Sequence, residues 1–271
     1  MVVTLPPGFV RVRGLQFFLH DCGAIVSIAE VPPALGGLLA DVFWRGVSEE
    51  LAATSAHQQC REERGGLRIC RDGTDLELVR RLVRPEGRAV VMVHGPMDEA
   101  TARAIAASAV IDASLPFDPV AATGVFLATP EGMRMMPMSS AGVLQYADAQ
   151  AADPFADDVA TIRWSFTPWG VRHADGSPWP IREMAEHASE IARDVLGMTA
   201  VDTRAGTGET DEDGGIFTMP GMRGAVPVTL LISFLRDVHG VWTIVAAVPT
   251  SSTEPWMDRF AAQVATFSYG D

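Results

Sequence analysis

One pattern of apolar and polar positions occurs twice in the chain. From Gly87 to Leu115, a glycine precedes a run of apolar residues, a proline follows, and a polar start leads into an amphipathic segment. The same order runs from Gly240 to Tyr269, with one gap in the amphipathic segment. Short apolar runs are typical of buried strands, and apolar positions three and four residues apart are typical of helices. We therefore predict a strand, a turn and a helix, used twice.

The segments before the first copy predict a hairpin, a helix and a meander. Strands at 16–19 and 24–30 flank a turn, and apolar residues at helical spacing follow over 35–53. Short turns then join three further predicted strands, which favours antiparallel pairing; they cover 66–71, 76–83 and 88–93.

The second half repeats this series of elements. A predicted strand at 161–166 precedes an amphipathic helix at 181–196, and strands at 216–219 and 228–235 precede the second copy. The pattern predicts an α+β fold of two related units, each a mainly antiparallel sheet packed against helices. The predicted boundaries are 1–115 for the first unit and 116–271 for the second.

Composition and charge exclude several kinds of function. The formal net charge of −13 repels phosphate backbones, so we expect no nucleic-acid partner. No apolar run approaches the ~20 residues of a spanning helix, so we expect no membrane insertion. All 21 basic residues are arginines, which excludes a lysine Schiff base or a P-loop lysine. The serine-hydrolase elbow, the zinc-protease motif and the dinucleotide fingerprint are also missing, and we predict no cofactor.

The three cysteines, Cys22, Cys60 and Cys70, leave the compartment open between two alternatives. Their odd and sparse count favours a reducing compartment, and the N-terminus has no signal-peptide pattern, so we predict a cytoplasmic protein. The alternative is an exported protein, with one disulfide and one free thiol, whose signal peptide is not part of this sequence.

A metal site is an alternative that the sequence does not favour. The soft ligands that could form one are His20, Cys22, His57 and Cys60. Their spacing matches no recognised zinc finger or ribbon, and the site requires the two groups to meet in space.

A long segment between a predicted strand and helix, Thr167 to Pro180, is the predicted binding loop. It carries residue types enriched at interfaces, and its candidate binding residues are Trp169, Arg172, His173, Asp175 and Trp179. The alternative is that its two tryptophans fold back onto the helix as a self-packing loop.

Several short motifs resemble the PsbP-like fold, which the Ran-binding Mog family shares with uncharacterised bacterial domains. They are Pro7-Gly8-Phe9, the meander ending in 89–93, Ala113-Ser114-Leu115 and Phe267-Ser268-Tyr269. The resemblance covers most of residues 5–115 and, more loosely, 120–269, where Leu115-Pro116-Phe117 replaces the Pro-Gly-Phe motif. Members of that fold are mostly binding or assembly modules, so the resemblance implies a non-enzymatic adaptor.

We therefore predict a non-enzymatic module of a bacterial protein that binds or assembles with a protein partner. The alternative is a small-molecule- or metal-dependent enzyme with a site between the two units. That site would draw on His20, Cys22, His57, Arg172 and His173.

Overall fold

The structure, a computed structural model, divides the chain into two compact units, Met1–Asp118 and Pro119–Asp271. It describes residues 1–12, 16–31, 59–84, 87–112, 114, 118–136, 139, 142–168, 180–203, 206–208, 215–236 and 240–269.

Unit 1 contains a seven-stranded antiparallel sheet. Its strands are β1 (Phe9–Val12), β2 (Phe17–His20), β3 (Ile25–Val31), β4 (Gln59–Glu63), β5 (Leu67–Asp72), β6 (Asp75–Arg84) and β7 (Gly87–Gly95). They lie in the order β1-β2-β3-β7-β6-β5-β4, so β3 pairs with β7, the last strand of the unit. The predicted hairpin and the predicted antiparallel meander are both confirmed.

One helix, α1 (Glu99–Ser108), packs against this sheet. The carboxylate of Asp98 caps its start by accepting a hydrogen bond from the Thr101 backbone N–H at 2.9 Å. Its buried face places Ala102 and Ile105 in one core with strand residues such as Leu78. The helix is shorter than the predicted segment because the chain becomes extended after Ser108, where Val110 forms an antiparallel bridge with Val2.

A network of ion pairs also joins α1 to the sheet edge. Arg103 pairs with Glu63 of β4 and, one helical turn away, with Glu99 at 2.8 Å. Arg71 of β5 contacts the other oxygen of Glu99 at 2.9 Å. Hydrogen bonds from Arg103 are the largest cause lowering the pKa of both Glu63 and Glu99.

Unit 2 repeats the strand order of unit 1. Its strands are β8 (Val125–Phe126), β9 (Met133–Met135), β10 (Val143–Asp148), β11 (Thr161–Pro168), β12 (Met198–Val201), β13 (Thr207–Gly208), β14 (Ile216–Arg223), β15 (Val226–Arg236), β16 (Gly240–Pro249) and β17 (Ser268–Tyr269). The main path, β9-β10-β11-β16-β15-β14-β12, matches the unit 1 order strand for strand. Two similar units are therefore observed, and in both of them the repeated cassette supplies the central strand.

Helices lie on both faces of the second sheet. They are α2 (Pro119–Thr123), α3 (Ile181–Val195) and α4 (Thr253–Ala265). On one face, α3 packs Ala188 against Leu230 and its neighbours. Thr229 lies on the opposite face, because successive residues alternate, and it accepts a hydrogen bond from Thr253 of α4 at 3.0 Å. That second face also buries Trp164, which stacks on Phe267 at 5.7 Å.

The helix predicted over 35–53 lies outside the described residues. Among the helices that the structure describes, none has the length and apolar character to cross a membrane.

Candidate functional site

A pocket of about 290 Å³ opens on unit 2 and combines apolar walls with a few polar groups. Strands β10 and β11, the end of α3, the end of β14 and the turn before β11 supply its lining. The lining residues are Met136, Gln145, Tyr146, Pro154, Phe155, Asp157, Thr161, Ile162, Leu196, Gly197 and Arg223.

Arg223 brings a positive charge to the buried side of this pocket. Alternation along β14 buries Phe217 and Met219 and places Arg223 in the same inward-facing series, with 4% of its surface exposed. One terminal nitrogen donates to the Val159 carbonyl at 2.8 Å, and the other donates to Thr161 Oγ1 at 2.9 Å. The guanidinium is therefore held in a fixed orientation by two neutral acceptors.

The same guanidinium keeps hydrogen-bonding capacity. Its Nε is buried and has no hydrogen-bond partner in the part of the chain that the structure describes. Burial lowers the pKa of Arg223, and the charge of Asp157 opposes part of that shift. An arginine in this position stays protonated, so the pocket keeps a buried cation.

Gln145 is a second polar side chain that lines the pocket. Ser139 Oγ fixes its backbone, accepting from the Gln145 N–H at 2.9 Å and donating to its carbonyl at 3.1 Å. The side chain exposes 9% of its surface, and its amide makes no hydrogen bond within the described residues. It lies directly opposite Arg163 in the β10–β11 register, where burial lowers the pKa of that second arginine.

The rim of the pocket differs from its buried side. Phe155 exposes 60% of its surface, and Asp157 is exposed as well. Asp157 lies against Gly224, which has a φ of +55°, and a Cβ at Gly224 would collide with the Asp157 carboxylate. The exposed carboxylate therefore lies beside the turn that follows Arg223, whereas the arginine itself is buried.

Of the four ligands of the metal alternative, Cys60 is not available to a metal. Cys60 is bonded to Cys70, directly opposite it on the neighbouring strand, and so offers no thiolate. His20 and Cys22 do meet, with Nδ1 3.1 Å from Sγ. His20 lies on β2, however, and β2 is five strand spacings from β4, the strand of Cys60. Five spacings correspond to about 24 Å. No group of three His, Cys, Asp or Glu residues suited to a metal occurs among the described residues.

The predicted binding loop is not tested by the structure. Trp169, Arg172, His173, Asp175 and Trp179 all lie outside the described residues, as does His57 of the metal alternative. The candidate residues of this loop follow the last residue of β11 and precede the first residue of α3. The pocket residues of these elements lie at the other ends, with Thr161 at the start of β11 and Leu196 directly after α3.

The lining of the pocket combines groups that can hold a ligand. Buried N–H donors, a buried positive charge and apolar walls orient and desolvate a bound group. Among the described lining residues, Tyr146 and Thr161 carry hydroxyl groups, and the Thr161 hydroxyl accepts a hydrogen bond from Arg223. The arrangement is suited to recognition of a ligand group.

Sequence reasoning missed the whole pocket, although one signal was available. Period-two alternation in Ile216–Arg223 assigns Arg223 to the face that carries Phe217 and Met219. An arginine on the inward face of an apolar strand needs a partner or a ligand. Gln145 gave a weaker signal of the same kind, because it interrupts an otherwise apolar strand, β10.

Comparisons with known proteins give no family. No protein-family model matches the chain, and no curated protein matches it either. Among solved structures, LpqN from Mycobacterium tuberculosis, described as involved in cell envelope biogenesis, is 17% identical over 54% of this chain and 83% of its own, with a TM-score of 0.35. The immunity protein TplEi of T6SS from Pseudomonas aeruginosa, complexed with an "L" peptide, is 8% identical over 97% of this chain and 98% of its own, with a TM-score of 0.31. A chain of the Tle4-Tli4 complex is 9% identical over 97% of both chains, with a TM-score of 0.31.

Proposed function

We propose that this chain is a non-catalytic module that binds a protein partner and receives one group of that partner in the unit 2 pocket. The observation that carries the proposal is the combination of an exposed aromatic rim, Phe155, with the oriented donors of Arg223 and Gln145. Aromatic and arginine side chains around a small desolvated pocket are the usual anchors of protein interfaces.

The size of the pocket favours one anchoring group over a whole cofactor. Pockets for drug-sized ligands and cofactors span about 300–1,000 Å³, and this pocket, at about 290 Å³, lies at the bottom of that range. A single side chain or chain terminus fits such a volume, and the rest of a partner would then lie across the rim.

The predicted loop is proposed as a second contact surface. Trp169 and Arg172 are residue types that contribute strongly to interfaces. Since the loop leaves β11 at the end remote from the pocket, the two surfaces can be tested separately.

The cysteine chemistry supports the exported alternative over the cytoplasmic expectation. Cys60 and Cys70 form a disulfide, and Cys22 is a free, exposed thiol, which is the arrangement that the exported alternative requires. Disulfides persist in oxidising compartments and are rare in the cytosol. We therefore propose that the protein acts outside the cytoplasm.

The test is capture of a partner by the tagged chain in extracts of its own source. Phe155→Ala and the double variant Trp169→Ala/Arg172→Ala are compared with Val83→Ala, which removes an exposed apolar side chain from unit 1. We expect one stoichiometric protein to be lost with Phe155→Ala and kept with Val83→Ala, while circular dichroism shows an unchanged fold. Capture that is equal for all the variants would contradict the proposal.

A further inference from the structure

We propose that the unit 2 pocket recognises a carboxylate group carried on an apolar body, bound by the free donors of Arg223 and Gln145. This inference rests on the proposed binding function and specifies the chemistry that the pocket selects. The shared chemistry has two possible sources, a free organic acid and an acidic group or C-terminus of a protein partner.

Arg223 has no direct ion-pair partner among the described residues, although the charge of Asp157 acts on it from the rim. Its two hydrogen-bonded acceptors, a backbone carbonyl and a hydroxyl group, are neutral. The only carboxylate among the lining residues belongs to Asp157, which is exposed at the rim and forms no ion pair with Arg223 in the described part of the chain. A buried cation without an ion-pair partner is costly, and an incoming anion would supply that partner.

Arg223 keeps N–H donors beyond the two that are bonded. A guanidinium has five N–H groups, and two are used by Val159 and Thr161. Three N–H groups, the buried Nε–H among them, therefore have no partner in the described part of the chain, and two adjacent N–H groups of a guanidinium match the two oxygens of a carboxylate. The amide of Gln145 offers further N–H donors from a different strand, and it also has no partner within the described residues.

The charge and the walls of the pocket favour a carboxylate over a phosphate. Among the described lining residues, the buried charge of Arg223 is positive and the exposed charge of Asp157 is negative, so the pocket offers one cation to a monoanion and leaves a dianion largely uncompensated. Apolar residues such as Met136, Phe155 and Leu196 line much of the pocket, so most of the bound surface must be apolar. A small acid with a hydrocarbon or aromatic body satisfies both conditions.

The charge of Asp157 should weaken the binding of an anion in the pocket. Because its exposed carboxylate lies beside the pocket, it repels an anion that enters, even though the anion is held by the buried arginine. Replacing Asp157 by asparagine removes the negative charge with little change of shape. A carboxylate should therefore bind more tightly to that variant, whereas a neutral ligand should be indifferent to the change.

The experiment is an NMR titration of the ¹⁵N-labelled chain with phenylacetate and with its neutral isostere, phenylacetamide. We expect phenylacetate to shift signals of the pocket residues in a saturable way and to bind at least about tenfold more tightly than the amide. Gln145→Met should weaken phenylacetate binding by about five- to tenfold, and Asp157→Asn should strengthen it by about two- to fivefold. Gln263→Met, a buried glutamine remote from the pocket, is the matched control and should change neither ligand.

Arg223→Gln should abolish the preference for the acid, and circular dichroism must first show that this variant folds. Gln145→Met and Asp157→Asn keep the test decisive if it does not, because neither side chain holds the fold together by a hydrogen bond among the described residues. Equal binding of acid and amide, or acid binding insensitive to both variants, would overturn the inference.

Failure of this inference is distinguishable from failure of the proposed function. Partner capture that depends on Phe155, without any preference for phenylacetate, would refute acid recognition alone. Phenylacetate binding with the expected variant effects supports acid recognition, and mass spectrometry of extracts from source-purified protein then identifies the source. A free organic acid with no protein partner would refute the proposed function, and a partner that phenylacetate displaces would support both.

Discussion

Replacing Gln145 by methionine should stabilise the protein while weakening ligand binding. The Gln145 side chain is buried to all but 9% of its surface, and its amide makes no hydrogen bond within the described residues. An unpaired amide that is fully buried costs about 1–3 kcal/mol, and the cost at Gln145, which lines the open pocket, is expected at the lower limit. Methionine has a similar length and adds no polar atom, so we expect a gain of about 1 kcal/mol.

The assay is urea unfolding followed by tryptophan fluorescence. Trp164 and Trp242 are buried in unit 2 and report its unfolding directly. A gain of about 1 kcal/mol corresponds to a rise of about 2–4 °C in the Tm of a domain of this size. Gln263→Met is the control, because Gln263 exposes only 3% of its surface and both of its amide atoms lack partners in the described part of the chain.

Gln145→Met and Gln263→Met should have the same effect on stability and different effects on ligand binding. Both substitutions should stabilise the fold, but only Gln145→Met should weaken phenylacetate binding, because only Gln145 lines the pocket. Such a conflict between stability and binding is typical of residues retained for function. A loss of about 1 kcal/mol or more in Gln145→Met would show that the amide holds the fold together, and the reasoning would be refuted.

Three further predictions concern the fold. Phe260→Ala should cost about 3–5 kcal/mol in urea unfolding because Phe260 is fully buried in α4; a cost below about 1 kcal/mol would contradict its place in the core. The lowered pKa values of Glu63 and Glu99 imply stability that is present above their unfolded pKa near 4 and is lost as the pH falls through the folded values. Glu99→Gln should therefore lose less stability than the wild type between about pH 5 and about pH 3 in urea titrations; an unchanged pH slope would contradict the network. Gly224→Ala should cost about 1–2 kcal/mol in urea unfolding because its φ of +55° is unfavourable for a residue with a side chain, and an unchanged midpoint would refute that conformation.

The repeated cassette was the part of the fold that the sequence could predict. Its apolar runs become β7 and β16, each the central strand of its sheet, and β16 in particular is buried along nearly its whole length. The short edge strand β4 was missed because its sequence, QCREE, is polar and carries no alternating apolar signal. Its position depends on pairing with β5, including the Cys60–Cys70 bond, and that pairing is a tertiary property.

The pocket could not be predicted as a site because its residues come from separate stretches of the chain. Gln145 and Arg223 are 78 positions apart and lie on strands that are not neighbours in the sheet. Each residue alone is consistent with a partly exposed strand position. Only the register of β10 with β11, together with the bonds from Arg223 to Val159 and Thr161, brings the two donors to one cavity.

The most direct test of the binding function is native mass spectrometry of the protein purified from its own source, with its metal content determined on the same sample. The account predicts a chain with an intact Cys60–Cys70 bond, no stoichiometric metal and one protein partner that dissociates when Phe155 is replaced by alanine. A chain without any partner, or one that carries about one zinc or copper ion per molecule, would contradict it.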